Sequence, residues 1–245
     1  MVFNSILHYP HIPLNSKLRR LFLSRILRTA AVTFLTLFSS IHIYQLAQAE
    51  GISHSYSIVI VALFYLFLFV AKFFGLFWGE NISQSIGLKK TLRLSIIPFT
   101  VLIVILMFSQ SIVMILVGAV AWGLHAGLFW WAYHAYFVSV GDSVTFGSDV
   151  GRVIMYDTLV AFLTPLAGAV FIAEVGFSVS YLIAYVIAVI SIIAIGAEDD
   201  VVPTSDVKMG EIVRNVFKKL PFTIGYLGIA GEGVAYNIVW PLFVY

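Results

Sequence analysis

The chain is a succession of apolar runs, most of them close to twenty residues long, parted by short polar turns. They fall at about 21–48, 56–78, 92–109, 111–138, 153–173 and 177–196, with a seventh at 222–245. A helix of roughly 20 residues crosses the hydrocarbon of a bilayer. Lipid offers the backbone no hydrogen-bond partners, so each crossing segment has to be helical. Residue usage agrees: 61% of residues are hydrophobic and 11% charged, whereas a soluble domain carries about 25% charged residues. The expected fold is an all-α polytopic membrane bundle of six transmembrane helices, with a seventh beyond a polar linker. The chain has no cysteine, which excludes disulfides, thiolate metal sites and a cysteine nucleophile. A net charge of +2, carried mainly at helix ends, excludes a nucleic-acid-binding face.

The linker, 197–221, is the longest hydrophilic run after the first helix begins. Glu198, Asp199 and Asp200 leave the membrane, and Pro203, Ser205 and Asp206 supply turn and cap chemistry. Ile212, Val213, Val216, Phe217 and Leu220 then recur at helical spacing against Lys208, Arg214, Lys218 and Lys219. That pattern predicts a short basic amphipathic helix on the membrane surface. The organisation expected is a bundle over 1–196, a linker over 197–221, and over 222–245 the first helix of a further, truncated half. Ala47-Gln48-Ala49 resembles a signal-peptide cleavage site, but the apolar stretch before it exceeds the roughly 7–15 residues of an h-region.

Orientation follows from the cations. Lys17, Arg19, Arg20, Arg25 and Arg28 flank the first span, Lys89, Lys90 and Arg93 lie in the turn after the second, and Arg152 follows the fourth. With the four in the linker, that places thirteen of the fourteen cations on one side. The alternate loops (49–55, 109–111 and 174–178) have none, and Lys72 lies inside the second span. The positive-inside rule puts the basic side and the N-terminus in the cytoplasm. The expected location is the cell membrane, as a multi-pass protein.

Polar residues inside the spans mark candidate function. Thr29, Thr33, Thr36, Ser40 and Tyr44 make one stripe along the first span, as a face meeting water or solute would; hydroxyls that hydrogen-bond between helices are the alternative. In the fourth span Trp122, His125, Phe129, Tyr133 and Tyr136 share a face, and His125 among these aromatics is the group to test there. Gly123 and Gly127 form a small-xxx-small pair suited to close packing. Glu232 lies ten residues beyond Phe222 in the seventh span, with Tyr236 and Asn237 after it and Gly225, Gly228, Gly231 and Gly233 around it. A carboxylate at that depth is expensive and marks a coupling or solute-binding group, or else a protonated acid bonded to a neighbouring helix. Asp157 in the fifth span is a second coupling candidate, and Lys72 is placed to snorkel towards the headgroups.

Two motifs carry a resemblance. The turn Gly79-Glu80-Asn81-Ile82-Ser83-Gln84-Ser85-Ile86-Gly87-Leu88-Lys89-Lys90 resembles the turn between helices 2 and 3 of the major facilitator superfamily. Gly87, Lys89 and Lys90 fit; Gln84 and Ser85 stand where the family has aspartate and arginine, and Gly79 sits one residue early. The lysines are expected at the headgroups. Thr164-Pro165-Leu166-Ala167-Gly168 resembles the Gly-Pro-x-x-Gly element of helix 5 in many antiporters, with Thr164 in place of the first glycine. Pro165 and Gly168 would bend that helix and admit a close neighbour. Ala119 occupies the place of the helix 4 arginine of proton-coupled drug antiporters, which speaks against that scheme.

The resemblance implies a secondary transporter in which two six-helix halves rock about a central site lined by helices 1, 4 and 7. The partners implied are a small-molecule solute, a proton or cation as the coupling candidate, the lipid bilayer, and the missing C-terminal half or a second copy. No cofactor, metal or catalytic residue is expected. Three alternatives compete with this reading. A seven-helix receptor places its N-terminus outside, against the charge bias, and a retinal protein needs a lysine after Lys219. A half-size transporter would have to oligomerise. A membrane-embedded enzyme needs clustered acid–base or metal-binding groups, and the six histidines are scattered. The charge asymmetry predicts that tags at positions 85, 145 and 208 are reached from the cytoplasm and a tag at 52 from outside. Accessibility labelling that finds 52 and 208 on one side would overturn this topology.

Overall fold

The computed structural model describes residues 16–196, 200–203 and Lys218. It contains α1 (Ser16–Ala49), α2 (His54–Ile86), α3 (Leu88–Leu94), α4 (Ile96–Phe108), α5 (Ile112–Val140) and α6 (Phe146–Ala194). α3 and α4 are one crossing, interrupted at Ser95. α6 has 49 residues, about 73 Å of helix at 1.5 Å per residue, more than twice the hydrocarbon thickness. It breaks at Gly176, whose φ of 76° and ψ of 177° are non-helical, and a positive φ is open to glycine at no steric cost.

Contacts with α1 show that the two arms of α6 run in opposite directions. Asp157 meets Arg25 and Thr29, and Gly168 faces Phe34 and Phe38. At the break, His42 stacks on Phe177 (4.8 Å between centroids) and bonds Tyr181. The second arm returns until the carbonyl of Gly196 accepts a hydrogen bond from Arg93 at the basic end. The described residues therefore make six crossings. The seventh span and the amphipathic segment lie outside the described residues, apart from Lys218, which is helical and exposed.

Several boundaries differ from those the sequence suggests. The fifth crossing begins at Phe146 rather than 153, so Arg152 sits in the first turns of the helix, 3.6 Å from Asp149, instead of in a loop. The third begins at Leu88 rather than 92. Hydropathy locates the part of a helix in lipid, and these helices continue past it into polar sequence.

The tightest seam is between α2 and α5. A Cβ at Gly127 would lie 2.5 Å from the carbonyl carbon of Gly75 and from the Lys72 oxygen, and one at Gly123 would collide with the Leu68 carbonyl. Trp131 covers Gly79 on the same seam and donates its indole N–H to Ser83 Oγ at 3.1 Å. Small residues let the backbones approach, and in lipid such contact rather than water exclusion holds helices together. Around this seam the core divides. One apolar cluster, with Leu35, Phe64, Phe99 and Tyr181, lies towards the non-basic end. The other, with Leu21, Leu92, Phe129 and Tyr133, lies towards the basic end.

Gly127→Val should lower the stability of the detergent-solubilised full chain by about 1–3 kcal/mol through overpacking. Gly147→Ala, where a Cβ meets nothing within 4 Å, should not. Thermal unfolding of the two variants checks both expectations.

Candidate functional site

Between the two apolar clusters α1 carries Arg25, Arg28 and Thr29, and there a cavity of about 380 Å³ opens. Its lining comes from α1 (Arg25, Arg28, Thr29, Val32, Thr33, Thr36), α2 (Tyr65, Leu68, Phe69, Lys72), α5 (Trp122, Ala126, Trp130) and the first arm of α6 (Asp157). Helical spacing aligns the α1 set: from Arg25 it advances by four to Thr29 and to Thr33, then by three to Thr36.

The charges are unequally matched. Asp157 pairs with Arg25 through Oδ2 and accepts a hydrogen bond from the Thr29 hydroxyl at Oδ1, at 3.0 Å. The Arg25 guanidinium also rests over Trp130 and Tyr133, 5.0 and 4.9 Å from the ring centroids. Arg28 is 5% exposed, and its guanidinium lies 4.0 Å from the centroid of Phe129 and 5.2 Å from that of Trp130. Its Nε has no hydrogen-bond partner. Lys72 is half-buried and lines the cavity from α2. Neither Arg28 nor Lys72 has an ion-pair partner among the described residues. Three cations thus surround one carboxylate.

The residues singled out from the sequence divide around this cavity. Thr33, Thr36 and Asp157 line it. Tyr133 lies just behind, fully buried beneath Arg25. The stripe on α1 does not continue into the cavity beyond Thr36: Ser40 is buried and bonds Tyr65 Oη at 2.9 Å, and Tyr44 bonds His54. His125 is also elsewhere, with Nδ1 2.8 Å from the Ser95 carbonyl oxygen and its ring packed on Phe99. Glu232, Tyr236 and Asn237 lie outside the described residues.

At the basic end Gly87 turns the chain with φ of 99°. The carboxylate of Asp200 then accepts the backbone N–H of Lys89 at 2.7 Å and of Lys90 at 3.1 Å, while Leu88 N–H donates to the Val201 carbonyl. Lys90 is exposed. Lys89 does not reach outward as the sequence suggested: it is 2% exposed, with its ammonium 5.3 Å from the centroid of Tyr136. In α6, Pro165 sits inside the helix, and the Thr164 hydroxyl donates to the Val160 carbonyl at 2.7 Å beside it. Gly168 is buried where a Cβ would strike Phe34 and Phe38.

The family model of the Major Facilitator Superfamily matches residues 21–244. The chain belongs to that superfamily. It is accordingly a multi-pass membrane protein of a transporter family, whose partner is a small solute. No curated protein matches the sequence. In this facilitator chain the cavity cations Arg25, Arg28 and Lys72 are the groups that the sequence does not single out for a cavity. The charge pattern assigns Arg25 and Arg28 to orientation and Lys72 to the headgroups, whereas the structure places all three at the cavity. The signal was present, since Arg25 is one four-residue step before Thr29 on the hydroxyl stripe.

The Arg25–Asp157 pair is open to a double-mutant cycle. Each side chain is 17% exposed, between the surface limit of about 0–1 kcal/mol and the buried limit of about 3–5 kcal/mol. Asp157→Asn should therefore cost about 1–3 kcal/mol, and adding Arg25→Gln should restore part of it. Thermal unfolding of the two single variants and the double variant reads the coupling.

Proposed function

We propose that the chain is a secondary transporter that moves a small solute by alternating access, with 1–196 as one half and 222–245 opening the other. The observation that carries this reading is the charged cavity that α1, α2, α5 and α6 line between the two apolar clusters. Transporters of this architecture bind their solute near the midplane, between halves that rock against each other. α1, α2 and α5 then supply one wall. The seventh span supplies the facing wall through Glu232, Tyr236 and Asn237. Thr33 and Thr36 offer hydroxyls to the solute, and Asp157 or Glu232 couples its movement to a proton or cation. The basic end, with Lys90 and the linker, faces the cytoplasm of the cell membrane.

The turn at Gly87 belongs to the same reading. Asp200 fastens the beginning of the linker to the N–H groups of Lys89 and Lys90. A linker anchored there joins the halves at a defined point rather than through a free tether.

Glu232→Gln keeps shape and hydrogen bonding but removes the titratable charge. In the full-length protein in proteoliposomes it should leave thermal stability nearly unchanged while abolishing solute counterflow, or its dependence on a proton or cation gradient. Normal transport by Glu232→Gln, with harm confined to the stability of Glu232→Leu, would show a packing residue instead.

A further inference from the structure

An unmatched charge describes the ligand that would complete it. Asp157 places one oxygen on Arg25 and the other on the Thr29 hydroxyl, and its single charge cannot balance three cations. Arg28 and Lys72 line the same cavity without an ion-pair partner of their own among the described residues. Arg28 is the informative one. It is nine-tenths buried, and its Nε has no acceptor. Its contacts are aromatic faces, those of Phe129 and Trp130. Aromatic faces offset part of a buried cation's desolvation cost but accept none of the five N–H bonds of a guanidinium. A guanidinium is also the side chain whose planar fork suits an oxyanion. The remaining wall includes Val32, Leu68, Phe69 and Trp122, which are apolar. Pockets of about 300–1,000 Å³ hold small organic molecules rather than macromolecules.

We infer that this cavity takes a small organic dianion, a dicarboxylate or a phosphate monoester with an apolar body, received by Arg28 and Lys72. The inference rests on the transport reading above and names its substrate class. Among the described residues three cations line the cavity against one carboxylate, an excess of two positive charges; Glu232, on the facing wall in the transport reading, leaves that excess unchanged when protonated. A dianion cancels the excess, a neutral solute leaves it exposed to a low dielectric, and a cation adds to it. Arg28 supplies a two-pronged contact to one oxyanion, Lys72 a point charge to the second group or to another oxygen of the same phosphate. The apolar wall holds the carbon body between them.

The test uses the purified full chain and four probes: adipate, phenyl phosphate, 1,6-hexanediol as adipate's neutral counterpart, and 1,6-diaminohexane as its cationic one. A ligand that binds the folded state raises the unfolding midpoint in proportion to its occupancy. Adipate, phenyl phosphate or both should raise the midpoint saturably; whichever does so tells carboxylates from phosphate esters. The diol and the diamine should not. Lys72→Gln and Arg28→Gln should each weaken the anion response at least about tenfold, the loss of one charge-assisted contact. Lys90→Gln, exposed and away from the cavity, should leave it unchanged. Should Arg28→Gln fail to give a monodisperse protein, the half-buried Lys72→Gln decides. An anion response equal in Lys72→Gln and the natural chain overturns the inference, as does no response to either anion. A saturable response to the diol or diamine in place of the anions also overturns it, while leaving the transport reading standing. The transport reading falls separately, if proteoliposomes show no counterflow of any solute.

Discussion

The cost of keeping charge inside a membrane-spanning bundle organises this molecule more than any other interaction. Moving one ion out of water costs several kcal/mol even after relaxation. Here three cations and a carboxylate face the same interior space. α5 answers with its aromatic side, where Phe129, Trp130 and Tyr133 stand as platforms under Arg25 and Arg28. α6 answers with Asp157, held by Thr29 as well as by Arg25. These aromatics also belong to, or pack against, the apolar cluster at the basic end, so core and site share side chains. A change to the platform residues therefore reaches both packing and electrostatics.

How much of this was legible in the sequence depended on the kind of signal. Each of the six described crossings announced itself, because hydrocarbon thickness imposes a run length and lipid imposes the helix. The hairpin at Gly176 was legible for the same reason, since residues 174–178 interrupt two apolar runs. The Gly123–Gly127 pair signalled close packing, and α2 lies against it. The site was only partly legible. Thr33, Thr36 and Asp157 stood out as polar groups in apolar surroundings. Arg25 and Arg28 did not, because a cation near a span's start ordinarily reports orientation rather than a cavity. His125 misled for the opposite reason: a histidine among aromatics satisfies a local need, here the Ser95 carbonyl where the third crossing is interrupted. Asp200 shows a third limit, since its bond to Lys89 spans 111 positions and no local pattern foretells it.

The seam between α2 and α5 bears on how this bundle can move. Where Gly75 and Gly127 meet, main chain lies on main chain, and no side chain stands between them to swing into another rotamer. The other large contact, between α1 and α6, includes phenyl rings, an ion pair and a threonine hydroxyl, all of which have alternative settings. One side of the bundle thus behaves as a stiff beam and the other as a joint with some play. Strain arriving at the cavity would be taken up first by the joint, in which Asp157 sits.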